Sequence, residues 1–233
     1  AGTERTLDAE LLGDELHLSL DLQGLALPIT VDPAWTATAT NMVAPHSFGP
    51  ALELSNGKVM VFGGGYGALA DLFDPTTSKF VAAPAYPPGT SMADQPAAVL
   101  LSGGEVFAGG GWGTASGVPA RYNPTTNTWT AAATMPTNVG VFVELLTGPV
   151  LHVPVLSTTS KTYNPGTNTW TATGNLGTTR QDFQVIRANS GAVVVIGGSS
   201  GGGALSTVET YNPASSTFGP AAPMLAARRG HRA

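Results

Sequence analysis

Few side chains in this 233-residue chain are placed to do chemistry, and most of those that could are scattered. The four histidines, His17, His46, His152 and His231, have no spacing that would bring ring nitrogens together on one metal ion. His152, in the apolar run VLHVPV, is expected to pack within a sheet. Cysteine is absent, which removes thiolate nucleophiles and disulfides. The glycine-rich stretches GGWGTASG and GGSSGGG lack the Lys-Ser/Thr ending and the following helix of a phosphate loop. The acid pairs Asp8/Glu10 and Asp14/Glu15 read as solvated faces. No metal ion or cofactor is expected.

One set of polar residues does obey a rule. Ser47, Asp94, Asn138 and Gln181 each lie ten residues before a turn glycine (Gly57, Gly104, Gly148, Gly191), in stretches that are otherwise apolar. Arg229 is the matching residue of a partial copy near the C-terminus, and Asp182 follows Gln181 in the densest polar cluster nearby, Arg180-Gln181-Asp182. Gathered on one rim, these side chains could hydrogen-bond a small ligand, or Asp94 could serve proton transfer. Tyr66 and Trp112, each directly after a glycine run, could stack on a sugar ring or a partner's side chain.

The elements that must position these residues repeat. FDPTTSKF (73–80), YNPTTNTW (122–129), YNPGTNTW (163–170) and YNPASSTF (211–218) share two aromatics seven residues apart around a turn, with the proline at 75, 124, 165 and 213. A second phrase keeps step with it: VMVFGGG (59–65), EVFAGGG (105–111) and VVVIGGS (193–199), with VLHVPVL as a copy that has lost its glycines. Before each phrase stands another apolar strand and a turn such as Asn56-Gly57 or Gly103-Gly104, whose glycine supplies positive φ. One unit therefore reads as strand A, tight turn, strand B ending in glycines, variable loop, strand C, Asn-Pro corner, strand D. Proline fixes φ at the corner, the preceding Asn or Asp accepts backbone hydrogen bonds, and the flanking aromatics pack against a neighbouring unit.

Four strands in about 40 to 50 residues are the mark of a β-propeller blade. The apolar run with Gly-Gly and the spaced pair Tyr122/Trp129 resemble the kelch repeat family over about residues 34–233, in particular the kelch propellers of large exported bacterial proteins and the central domain of galactose oxidase. The resemblance implies an all-β, kelch-type β-propeller of four complete four-stranded blades plus a partial or split fifth. A galactose oxidase-type copper site, as the resemblance describes it, needs a cysteine cross-linked to tyrosine, so such an oxidase is excluded unless other parts of a longer protein supply the site.

At the ends, WTATATNM (35–42) matches strand D, and LAARRGHRA (225–233) resembles the start of a strand A. Two readings stay open. In one, the C-terminal strand joins ELHLSLDL and LALPITVD, as strands B and C, in a fifth blade that closes the ring. In the other, the chain is a fragment of a longer protein, residues 1–33 are the tail of a preceding β domain, and 34–233 hold the blades.

Composition narrows the partners. A net charge of −5 and a pI near 5.2 speak against nucleic acid, which demands a basic stripe. No apolar run reaches the roughly 18–20 residues of a spanning helix, so membrane insertion is not expected. Low charge with abundant Ser, Thr and Gly points to an extracellular or cell-surface setting. The expected role is a non-catalytic binding or scaffold module that recognises a protein or glycan through the loops after strand B (66–70, 112–117, 156–160, 199–206). The alternative is the propeller part of a larger enzyme.

Overall fold

The computed structural model describes residues 8–12, 15–19, 37–46, 49–63, 70–84, 86–87, 96–110, 118–135 and 139–231. The chain divides into two compact units, Ala1–Ala37 and Thr38–Ala233. In the first, β1 (Asp8–Leu12) and β2 (Glu15–Ser19) form an antiparallel hairpin in which Glu10 pairs with His17.

Among its described residues, the second unit holds four antiparallel sheets of four strands. The first is built from β3 (Ala51–Glu53), β4 (Val59–Phe62), β5 (Ala70–Asp74) and β6 (Lys79–Ala82). The second contains β7 (Ala97–Leu100), β8 (Val106–Gly109), β9 (Ala120–Asn123) and β10 (Thr128–Ala131), and the third β11 (Gly140–Glu144), β12 (Val150–Pro154), β13 (Lys161–Asn164) and β14 (Thr169–Ala172). The fourth uses β15 (Gln184–Arg187), β16 (Val193–Ile196), β19 (Val208–Asn212) and β20 (Thr217–Ala221), with the small hairpin β17 (Ser199–Ser200) and β18 (Gly203–Ala204) inserted after β16. Each sheet meanders in chain order, as expected of blades, and β3, β7, β11 and β15 stand side by side. Among the described residues there is no helix, and so none that could cross a membrane.

The local signals act as the residues predict. Gly57, Gly104, Gly148 and Gly191 all take positive φ, and in each turn the glycine N–H closes on a carbonyl three residues back, as in Gly57 to Leu54. At the corner the two aromatics stand directly opposite each other across strands C and D: Tyr122 faces Trp129 and Tyr163 faces Trp170, with ring centroids 5.2 Å apart in both pairs. The left-handed residue here is not a glycine. Asn127 and Asn168 carry φ of 54° and 56°, and their side-chain oxygens accept the hydroxyls of Tyr122 and Tyr163 at 2.7 and 2.8 Å. Ser78 and Ser216 hold the same conformation in the other two blades.

The core lies between blades. Met60 and Leu72 of the first blade meet Val106, Ala108 and Tyr122 of the second. Leu101 and Phe107 of the second meet Phe142, Val150 and Tyr163 of the third, and Leu151 and Val153 of the third meet Phe183, Val193, Val195 and Tyr211 of the fourth. The parity is strict: along strand B, Val106 faces the preceding blade and Phe107 the following one, the period-two alternation of a strand apolar on both sides. Trp170 ties its blade back to the previous one, its indole donating to the carbonyl of Ala133 at 2.9 Å and its ring standing 6.1 Å from Phe107. The outward faces at the two ends, Val59 and Val61 on β4 and Val194 and Ile196 on β16, are only half-buried.

The WTATATNM segment differs from a simple strand D. Its described residues are irregular, yet Ala39 donates to Ser78 O at 2.6 Å just as Gly174, at the same distance past its own corner aromatic, donates to Ser216 O at 2.8 Å. It makes the contact of a strand-D tail without the strand. The C-terminal copy is likewise only a bridge, in which Arg228 pairs with Leu205.

Two carboxylates on strand C anchor the connections that enter strand A. Glu209 accepts the amides of Gly177 (2.6 Å) and Thr178 (3.3 Å) and a guanidinium nitrogen of the fully buried Arg180 at 2.5 Å; Arg180 also donates to Gly197 O at 2.8 Å. Asp71 does the same work in the first blade, accepting from Val43 N (2.9 Å) and Ala44 N (3.2 Å). Glu209→Ala should therefore cost about 3–5 kcal/mol in denaturant unfolding, because it leaves a buried guanidinium unpaired.

His152 lies where Val61, Ala108 and Val195 stand in the sister blades, buried beside Phe142 and the backbone of Gly140. Burial pushes its imidazole down to about 4, with a backbone hydrogen bond at Val139 opposing the shift. The folded state therefore holds His152 neutral while the unfolded chain takes up a proton below about pH 6.5, so stability falls as pH drops from about 6.5 toward about 4, by up to ~3 kcal/mol. In His152→Val this acid-side decline in Tm should flatten; an unchanged slope in that variant would refute the assignment.

A candidate binding site at the strand-A starts

The segments that open each strand A converge. Gly49 and Pro50, Pro96 to Ala98, Val139 to Phe142, Gln181 to Gln184, and Gly230 with His231 line one cavity of about 840 Å³. Four blades and the C-terminal segment thus each contribute a strand-A start to the walls, joined by Val155 just after β12. Such a cavity falls within the range of small-ligand sites, roughly 300–1,000 Å³.

Close backbone approach builds these walls, and the strand-B glycines permit it. A Cβ on Gly63 would meet the ring of Pro96 at 2.2 Å, and one on Gly198 would meet Gln181 O at 2.5 Å. The third blade has Pro154 where the others place Gly63, Gly110 and Gly197, all at positive φ, and there the left-handed residue is Leu156 instead. The loss of glycines in VLHVPVL is therefore a local change of path after β12.

Arg180, Gln181 and Asp182 take different roles despite being consecutive. Arg180 is fully buried in the Glu209 pair and fixes the entry to β15. Gln181, half-buried, lines the cavity and exchanges backbone hydrogen bonds with Ser199 at 3.0 and 2.8 Å, which couples the post-B hairpin β17–β18 to the wall. Asp182 is exposed in the same lining, with φ of 54°, and its carboxylate accepts from Ser199 Oγ at 3.5 Å. The C-terminal copy repeats this kink, because Gly230, one residue after Arg229, has φ of 60° and donates its N–H to Asp182 O at 2.8 Å. Arg229 itself is exposed beside that wall.

The other nominated residues, Ser47, Tyr66, Asp94, Trp112 and Asn138, lie outside the described residues. Ser47, Asp94 and Asn138 are, however, within two residues in sequence of the lining residues Gly49, Pro96 and Val139. Sequence reasoning did not find the apolar part of the lining, in which Val155 is partly exposed and Phe142 and Phe183 lie buried behind the wall. The strand parity contained that signal, since Phe142 and Phe183 also belong to the core between blades.

Comparison with known proteins bears on the same features. Residues 188–225, the turn at Gly191 through the Tyr211/Phe218 corner, match the Kelch motif. Among solved structures, that of YjhT is similar in fold, with a TM-score of 0.60 over 80% of this chain and 68% of its own, at 15% sequence identity. With the strand, turn and aromatic-corner pattern repeated in four meandering sheets, the chain has the fold of a kelch-type β-propeller.

Proposed function

We propose that this propeller is a non-catalytic recognition module of an exported protein, working at the cell surface or outside it, and that it binds a glycan at the strand-A starts. The supporting observation is the cavity lined by four blades and the C-terminal segment, in which Gln181 and Asp182 stand among the partly exposed Val139, Val141 and Val155 and glycine backbone. A sugar ring offers hydroxyls along its edge and C–H surface on its faces, and this lining offers the complement of both. By sequence register Ser47, Asp94 and Asn138 are the equivalents of Gln181 in the other three blades, and Tyr66 and Trp112 directly follow strand-B glycine runs.

A protein partner is the second reading. It is favoured by the hairpin β17–β18, whose exposed tip, Gly201 to Ala204, projects from a loop that reaches the cavity wall through Ser199. The enzymatic alternative would use Asp182 or Asp94 as a proton-transfer group, with the rest of the chemistry supplied elsewhere.

A glycan array probed with the full chain, followed by calorimetric titration of the best saccharide, tests the proposal. Gln181→Ala and Trp112→Ala are each expected to weaken binding about 5- to 30-fold, the worth of one hydrogen bond or stacking contact, without lowering Tm. An array with no specific binder, or variants that bind like the parent chain, would overturn it. Turnover of the bound saccharide that Asp182→Asn abolishes would instead favour the enzymatic reading.

A further inference from the structure

The first and fourth blades contain the same anchoring device built from different side chains. Arg180, immediately before Gln181, bridges the carboxylate of Glu209 and the carbonyl of Gly197. His46, immediately before Ser47, bridges the carboxylate of Asp71 (Nε2 to Oδ2, 3.1 Å) and the carbonyl of Gly63 (Nδ1 to O, 2.9 Å). The His46 side chain is 4% exposed and that of Asp71 1%. The carbonyls correspond as the cations do, Gly63 and Gly197 both following strand B at positive φ. The second and third blades have Ala120 and Lys161 at the acid's register position, so only these two blades carry the device.

From this pair we infer that His46 is a pH-dependent latch on one wall of the cavity, standing where the fourth blade has a permanent cation. A carbonyl oxygen can only accept a hydrogen bond. The Asp71 oxygen that faces His46 already receives the amides of Val43 and Ala44, so it too acts as an acceptor. Imidazole can donate to both only with a hydrogen on each nitrogen, which makes it a cation. Asp71 is the one charged group among the described residues within ion-pair distance of the ring. Of the other charged groups on the same sheet, Asp74 of β5 pairs with Lys58 at 3.2 Å, Lys79 of β6 is exposed, and Glu53 is exposed on β3. A guanidinium keeps its charge at any physiological pH, whereas histidines ordinarily change charge between about pH 5 and 8. The latch is complete in acid. As pH rises it keeps the bond to Gly63 and loses the one to Asp71, and the connection through Val43 to His46, which leads to the lining residues Gly49 and Pro50, is released.

Nitrogen-15 NMR of the full chain, with no ligand added, tests this directly and independently of the proposed function. At pH 5.5 both His46 ring nitrogens should show the protonated shift, and at pH 8.5 only Nδ1 should. Protection of the Ala44 amide from exchange, corrected for intrinsic rate, should fall at least tenfold over that interval and stay constant in His46→Arg. A neutral ring at pH 5.5, or the same protection change in His46→Arg as in the parent chain, would overturn the inference. His152 does not confuse the result, since its effect on stability has the opposite sign and lies on the acid side.

Discussion

A four-stranded sheet that is apolar on both faces cannot bury either face alone, and everything else in this structure follows from that constraint. Strand B shows it most plainly: Val106 and Phe107 are adjacent in sequence and completely buried, yet they belong to different hydrophobic clusters on opposite sides of one sheet. Each blade is therefore stable only between two neighbours, and stability resides in the interfaces. The corner aromatics serve the same end. Tyr163 and Trp170 stack across their own hairpin while the tryptophan reaches back to Ala133 and Phe107 of the previous blade.

Packing blades around a common centre brings the strand-A starts together, and the cavity they enclose is a consequence of that geometry. The polar side chains there are free to vary because the scaffold is held elsewhere, by the buried Arg180–Glu209 and His46–Asp71 pairs and by apolar contacts farther out. Anchoring and cavity lining thus occupy consecutive residues: Arg180 is buried in its ion pair, and Gln181 and Asp182 face the cavity. His152 has only a weak claim on a proton because it is surrounded by aromatic and backbone atoms, whereas His46 sits between two acceptors.

The repeat was legible in the residues alone because its signals are local. Positive φ at the turn glycines, the proline corner and the seven-residue spacing of the aromatics are each decided within a single hairpin; ten residues back from the turn glycines stand Gln181, which lines the cavity, and Ser47, Asp94 and Asn138, which lie outside the described residues. The anchors were not legible in this way. Asp71 lies 25 residues from His46 and Glu209 lies 29 from Arg180, and nothing in either local sequence marks the carboxylate as buried. The left-handed Asn127 and Asn168 were hidden for another reason: asparagine tolerates that conformation as one option among several, and only the facing tyrosine hydroxyl selects it.

The sequence by itself determined the blade: its strands, its turns, its doubly apolar faces and the spacing of its polar residues from each turn glycine. Only the tertiary structure decided which of those polar residues would be buried as anchors and which would face a cavity. That choice depends on the partner a side chain meets across two strands or two blades, and hydrogen-bond partners at such separations are fixed by packing, which no local pattern encodes.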